Sequence, residues 1–204
     1  MKANAARKAA VLLLAAFLGV SPPAFASKGA GNVEVYFSPR GGVTGAIVRE
    51  IDGASKKILV QAYSFTSKPI ANALIRAERR GAEVTVIIDG GELGLKGKPR
   101  GAGSFGRRQK RAIFNAAWLF KGTGIRLYAD DKHEIAHNKV IIIDDKTLIT
   151  GSFNFTRQAE EENAENLLVI KDNPALVEKY VGNFNYHLRH SLMYGAGKAP
   201  LRKD

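Results

Sequence analysis

The segment EIAHNKVIIIDDKTLITGSFNFT, residues 134–156, places His137 and Lys139 two residues apart, directly ahead of the β-branched run Val140–Ile143. A short apolar run of this kind, bounded by turn residues, reads as a buried strand. Its expected span is Asn138–Ile143, with a second strand over Thr147–Thr150 beyond the polar Asp144-Asp145-Lys146 turn. On a strand, residues i and i+2 share a face roughly 7 Å apart, so His137 and Lys139 are expected to project together from the strand's start. An ammonium beside an imidazole suits an anionic substrate. The cation holds the anion and also disfavours the imidazolium, which keeps the histidine neutral and nucleophilic. Ser152 and Asn154 form another i, i+2 pair beyond Gly151 and supply hydrogen-bonding groups for the same anion. Asp144 lies an odd number of residues from His137, so spacing assigns it no direct chemistry.

Upstream of this segment, strands and helices alternate. Val33–Phe37 reads as a strand, and Val43, Ile47 and Ile51 mark a helix that ends near Gly53. Ile58–Tyr63 is a second strand, Pro69 opens a helix over Ile70–Arg80 closed by Gly81, and Val84–Asp89 is a third strand. A helix then runs through Ile113 to Phe120, with a strand at Ile125–Tyr128. Past the quoted segment, Glu160–Glu162 lies in a polar connection, Asn166–Lys171 is a strand, and Asn173-Pro174 starts a last helix striped by Val177, Val181, Phe184 and Leu188. There is no internal repeat. The expected fold class is α/β: an α-β-α sandwich whose mixed, largely parallel central sheet is flanked by helices.

Composition narrows the function classes. Lys2, Arg7 and Lys8, then the apolar run Ala9–Val20, then Ala24-Phe25-Ala26, have the order of an export signal peptide cleaved near Ala26. The expected organisation is a leader over residues 1–26 and one catalytic domain over 27–204, exported to the periplasm or secreted, without permanent membrane insertion. The chain has no cysteine, which excludes thiol catalysis and thiolate-bound metal. Its net charge of +12 falls to +9 once the leader's three bases are removed, and favours a polyanionic partner. Residues 96–111, KGKPRGAGSFGRRQKR, hold seven bases, four glycines and no acid. Within them Arg107, Arg108, Lys110 and Arg111 are candidate phosphate-backbone contacts, unless the loop merely solubilises. Carboxylate metal ligation from Asp130, Asp131 or Glu160–Glu162 is conceivable, but such runs are usually solvated faces. No metal or cofactor is expected.

His137-x-Lys139-x-x-x-x-Asp144 followed by Gly151-Ser152-x-Asn154, with Glu165 downstream, resembles the HKD motif of the phospholipase D superfamily. The stretches VEVYFSP, ILVQAYSFTSKPIANAL and RGAEVTVIID resemble its single-motif bacterial endonucleases, and the resemblance weakens over residues 92–112. It implies a phosphohistidine mechanism with His137 as nucleophile or acid according to protomer. It further implies phosphate binding by Lys139, Ser152 and Asn154, imidazole orientation by Glu165, and a structural role for Asp144. In-line displacement needs a second histidine opposite the first, and the chain has one His-x-Lys, so a homodimer with a shared site is expected. Nucleic acid (DNA, with RNA also open) is the expected substrate. Anionic phospholipid is the alternative, with Phe105, Trp118, Leu119 and Phe120 as the docking segment it would need. A non-catalytic nucleic-acid-binding protein is a third reading.

Overall fold

The computed structural model describes residues 32–95 and 117–194. The leader (1–26) and the basic loop (96–111), with Arg107, Arg108, Lys110 and Arg111, lie outside the described residues. So do Phe105 and the first part of the helix expected to reach Phe120.

Among the described residues, eight strands form one sheet: β1 (Asn32–Ser38), β2 (Lys57–Ala62), β3 (Glu83–Asp89), β4 (Arg126–Asp130), β5 (Lys139–Ile143), β6 (Thr147–Gly151), β7 (Glu165–Lys171) and β8 (Leu192–Met193). Their order is β1-β7-β6-β5-β2-β3-β4-β8. The sheet is mixed, as expected, but it is not largely parallel. Only β2–β3 and β3–β4 pair in parallel, and every other neighbouring pair is antiparallel. Parallel neighbours need a crossover, and the three residues between β5 and β6 are too few for one, so that pair returns antiparallel.

Among the described residues, the helices with both ends in view are α1 (Val43–Asp52), α2 (Lys68–Arg79), α3 (Arg157–Glu161) and α4 (Pro174–His190). One sheet face packs against α1 and α2, whose Val43, Ile47, Ile51, Ile70 and Leu74 are fully buried. The other face carries α4, through Val177 and Phe184 against Leu59, Ile87, Val140, Ile142 and Leu148. The strand alternation is visible in β5: Ile141 and Ile143 face the first layer, Val140 and Ile142 the second. This double burial explains why β5 reads as an unbroken apolar run. Asn173 caps α4 by accepting from the Leu176 amide at 3.1 Å, with Pro174 in the first turn.

The polar connection around Glu160–Glu162 is instead the short helix α3, capped by Thr156, which accepts from the Ala159 amide at 3.1 Å. Nor is Glu160 part of a solvated acidic face. Its carboxylate accepts from the amides of Gly42 (3.2 Å) and Thr44 (2.7 Å), the unpaired donors at the start of α1.

The strand directions bring several chain segments to one end of the sheet. There the register sets Ser38 beside Glu165, Gly151 beside Leu167, Lys139 beside Ala62, and Asp89 beside Asp130. The motif residues gather at this end.

Candidate active site

Lys139 is the first residue of β5 and is 6 % exposed, while His137 lies just before the strand and is open to solvent. The Lys139 Nζ donates to the His137 carbonyl at 3.0 Å and lies 5.2 Å from the centre of the Tyr63 ring. The same ring packs on the His137 imidazole, centroid to centroid 4.8 Å, shielding one side of an otherwise open group. Tyr63 follows β2, and its amide donates to the Asn138 carbonyl at 2.9 Å. Burial pushes the Lys139 ammonium down to about 8, against the pull of Glu165. Partial desolvation, then the Lys139 charge, lowers the His137 pKa, with Asp89 opposing. The sequence-based expectation of a neutral imidazole beside a held cation therefore has a geometric basis.

Ser152 and Glu165 meet from β6 and β7. The Ser152 hydroxyl donates to Glu165 Oε2 at 2.6 Å and accepts from the Asn166 amide at 3.1 Å. Asn163 Nδ2 donates to the other carboxylate oxygen at 3.0 Å. Glu165 is thus engaged by Ser152 and Asn163 rather than by the imidazole of its own chain. Gly151 permits this closeness: a Cβ there would sit 2.3 Å from the Asn166 carbonyl oxygen. Asn154 Oδ1 is buried without a hydrogen-bond partner, leaving that amide oxygen uncommitted.

Asp144 is placed elsewhere. It ends β5 on the far side, about 17 Å along the strand from Lys139 at the usual rise per residue. Its Oδ2 accepts from the Ser55 amide and hydroxyl, both at 2.9 Å, and its Oδ1 from the amides of Lys56 (2.8 Å) and Lys57 (2.9 Å). Burial alone would raise its pKa; the backbone donors outweigh burial and lower it. Asp144 thus shares the motif with His137 and Lys139 but stands apart from the catalytic cluster. It is a structural acid that ties the β5–β6 turn to the start of β2, in line with the role that the resemblance implied.

Two features escaped the sequence reading. Asp89, at the end of β3, accepts from the Ala136 amide at 2.8 Å through Oδ2, and from the Gly91 (2.7 Å) and Glu92 (3.2 Å) amides through Oδ1. It fixes the β4–β5 loop one residue before His137. The second feature is a cluster of Asp130, His133, His187 and His190, whose potential ligand atoms all lie within 4.8 Å of one another. Burial would raise the Asp130 pKa, but hydrogen bonds from His187 and His133 overcome it and hold the carboxyl at about 2. The spacings Asp130-x-x-His133 and His187-x-x-His190 were readable signals for it. The chain's four histidines are all described, so the three besides His137 are all gathered around Asp130.

The docking segment suggested for a lipid substrate is reduced by the fold. Phe120 is 3 % exposed and packs on Phe65 at 5.4 Å, and Leu119 packs on the core, leaving Trp118 at 59 % exposure.

Residues 47–188 match the family described as "Cardiolipin synthase, PLD-like domain". The chain belongs to this family, within the phospholipase D superfamily of phosphodiesterases. Among solved structures it is similar to Nuc from Salmonella typhimurium, a phospholipase D family member, with 36% identity and a TM-score of 0.64 over 79% of this chain and 97% of that one. Among curated relatives, a phospholipase D of Rickettsia prowazekii is 39% identical over 75% of this chain, and the match spans 66% of the relative's length. A mitochondrial cardiolipin hydrolase of Canis lupus familiaris is 30% identical over 68% of this chain, spanning 46% of its own length.

Proposed function

We propose that the protein is an exported, metal-independent endonuclease that cleaves nucleic-acid phosphodiesters at a site shared by two copies of the chain. The observation that carries the chemistry is the exposed His137 imidazole backed by a buried Lys139 at the meeting point of β2, β5, β6 and β7. A ring nitrogen of one His137 attacks phosphorus in line, the P–O bond to the leaving group breaks, and the departing oxygen takes a proton from the protonated His137 of the second copy. Water then gives a proton to that second imidazole and attacks phosphorus. The P–N bond breaks and both histidines are restored to their starting states. Lys139 from each copy holds the non-bridging oxygens, with Asn154 as their further partner, and Ser152 with Glu165 shapes the pocket.

The shared site is supported by the placement of the other three histidines, each within hydrogen-bond reach of Asp130 and so unable to face His137 as the opposing acid. Exposed Ile135 and Phe37 lie close to this end of the sheet in the chain and suit a surface that meets a second copy. Nucleic acid is favoured by the charge of +9 that remains when the leader's three bases are taken from the chain's +12, and by likeness to Nuc over nearly all of that protein's length. A second reading, hydrolysis of phospholipid head groups, is favoured by the names of the curated relatives. No helix among the described residues is long and apolar enough to cross a membrane.

The test incubates purified protein with plasmid DNA and, separately, with labelled phosphatidylcholine and cardiolipin vesicles, all in excess EDTA. Plasmid nicking that outpaces lipid turnover is the expected result. Activity abolished by EDTA and restored by Mg²⁺ contradicts the metal-free mechanism, and faster lipid turnover promotes the phospholipase reading.

A further inference from the structure

We propose that Asp130, His133, His187 and His190 form a structural binding site for a zinc-class divalent cation, separate from the phosphodiester site. Asp130 ends β4, His133 lies in the loop from β4 to β5, and His187 and His190 sit one turn apart at the C-terminus of α4. The cluster therefore joins the helix on one sheet face to the loop that leads to His137. It is displaced from Lys139 by three strand spacings, β5 to β2 to β3 to β4, or about 14 Å.

The donor set fits a borderline cation better than Mg²⁺ or Ca²⁺, which prefer all-oxygen ligands. Three imidazoles and one carboxylate complete a tetrahedron, and four protein ligands make a closed, structural site rather than one that activates water. Metal–ligand bonds of about 2.0–2.1 Å give a tetrahedron with edges of about 3.3 Å. From Asp130 Oδ2 to the nearest ring nitrogens of His187, His133 and His190 the distances are 2.8, 3.0 and 3.5 Å. The edges to the carboxylate lie within about 0.5 Å of that length, and the imidazole–imidazole edges, none wider than 4.8 Å, would have to close by ring rotation on binding.

The surroundings are those of a built site. The Asp130 side chain is fully buried, and those of His187 and His190 are 10 % and 19 % exposed. The second carboxylate oxygen, Oδ1, accepts from the Lys132 and His133 amides at 3.2 and 3.4 Å and lies 3.1 Å from His133 Nδ1, while Oδ2 faces all three imidazoles. Tyr186 covers the helix side edge-on, its ring 5.6 Å from His187 and 5.2 Å from His190. A bound cation would pin the β4–β5 loop four residues before His137, without touching substrate.

The experiment titrates the untagged full chain, stripped of metal, with Co²⁺ and reads the visible spectrum. The expected result is one equivalent bound with the intense bands of a tetrahedral site, displaced by stoichiometric Zn²⁺, and a melting temperature that rises with free Zn²⁺. His133→Ala and His190→Ala should each lose the bands, and His137→Ala should keep them. A wild-type protein that takes up no Co²⁺ at micromolar concentration, or shows only weak octahedral bands, overturns the proposal whatever the variants do. Bands that survive His190→Ala or vanish with His137→Ala also overturn it.

Discussion

At the N-terminal end of β5, Lys139 is buried with its pKa pushed down to about 8, and His137 beside it stands open to solvent. At the C-terminal end, Asp144 has both oxygens saturated by donors from residues 55–57, and its pKa is also held down. Five residues of strand separate two members of one sequence motif. At the first end, positive charge is kept under-compensated where an anion can reach it. At the second end, a negative charge is fully spent on backbone amides. Residues that are neighbours in a motif need not be neighbours in a site, and hydrogen-bond satisfaction tells the two kinds of position apart.

The comparison breaks first at His137. His137→Ala should lower turnover by about 10⁴-fold or more while leaving nucleic-acid binding in place, because the covalent step has no substitute nucleophile. Binding lost together with turnover would make the residue a scaffold element like Asp144. Lys139→Met comes next, with a loss of about 10²–10³-fold in kcat, the usual cost of removing one group that stabilises transition-state charge. The depressed pKa gives this residue a pH signature. Sulfate, a dianion throughout, should compete with substrate progressively less well as the pH rises through about 8 and Lys139 loses its proton. Lys139→Arg should move that midpoint upward; a midpoint that stays put would assign the titration to another group.

Asp144→Ala should do the reverse of His137→Ala. Stability should drop by about 1 kcal/mol, since the exposed and half-buried donors of residues 55–57 lose a charged acceptor, while kcat per folded molecule changes less than about twofold. The folded-state pKa lies below the ordinary carboxylate value, so this contribution is present above that value and fades as pH falls through the folded pKa. The gap between wild type and variant in urea melts should therefore narrow in acid. A gap that is constant with pH would mean that charge is not what Asp144 contributes.

Much of this was legible in the sequence because it is local. The β-branched run of β5, Pro69 and Gly81 around α2, and Asn173-Pro174 ahead of α4 each mark an element through its own residues. The motif residues His137, Lys139, Ser152 and Glu165 were found by spacing and resemblance. What was not legible is non-local. The pairing of β1 with β7 joins Asn32 to Lys171, and no periodicity within either strand encodes it. The same holds for Glu160, which closes α1 from more than 100 residues away, and for β8, too short to carry a pattern. The Asp130 cluster had two readable halves, but only the packing of α4 under β4 joins them.

If one catalytic centre needs His137 from two chains, mixing wild-type with His137→Ala chains must inactivate more than the variant's own share. Co-refolding at equal amounts gives about a quarter wild-type dimers, half heterodimers and a quarter variant dimers. Heterodimers have a nucleophile without its opposing acid, or the acid without the nucleophile, and loss of acid–base assistance typically costs 10²–10⁴-fold. Specific activity plotted against variant fraction should therefore follow a parabola, reaching about one quarter at equal mixing. A straight line through about one half would contradict the shared site, and so would full activity from a protein that sediments as a monomer.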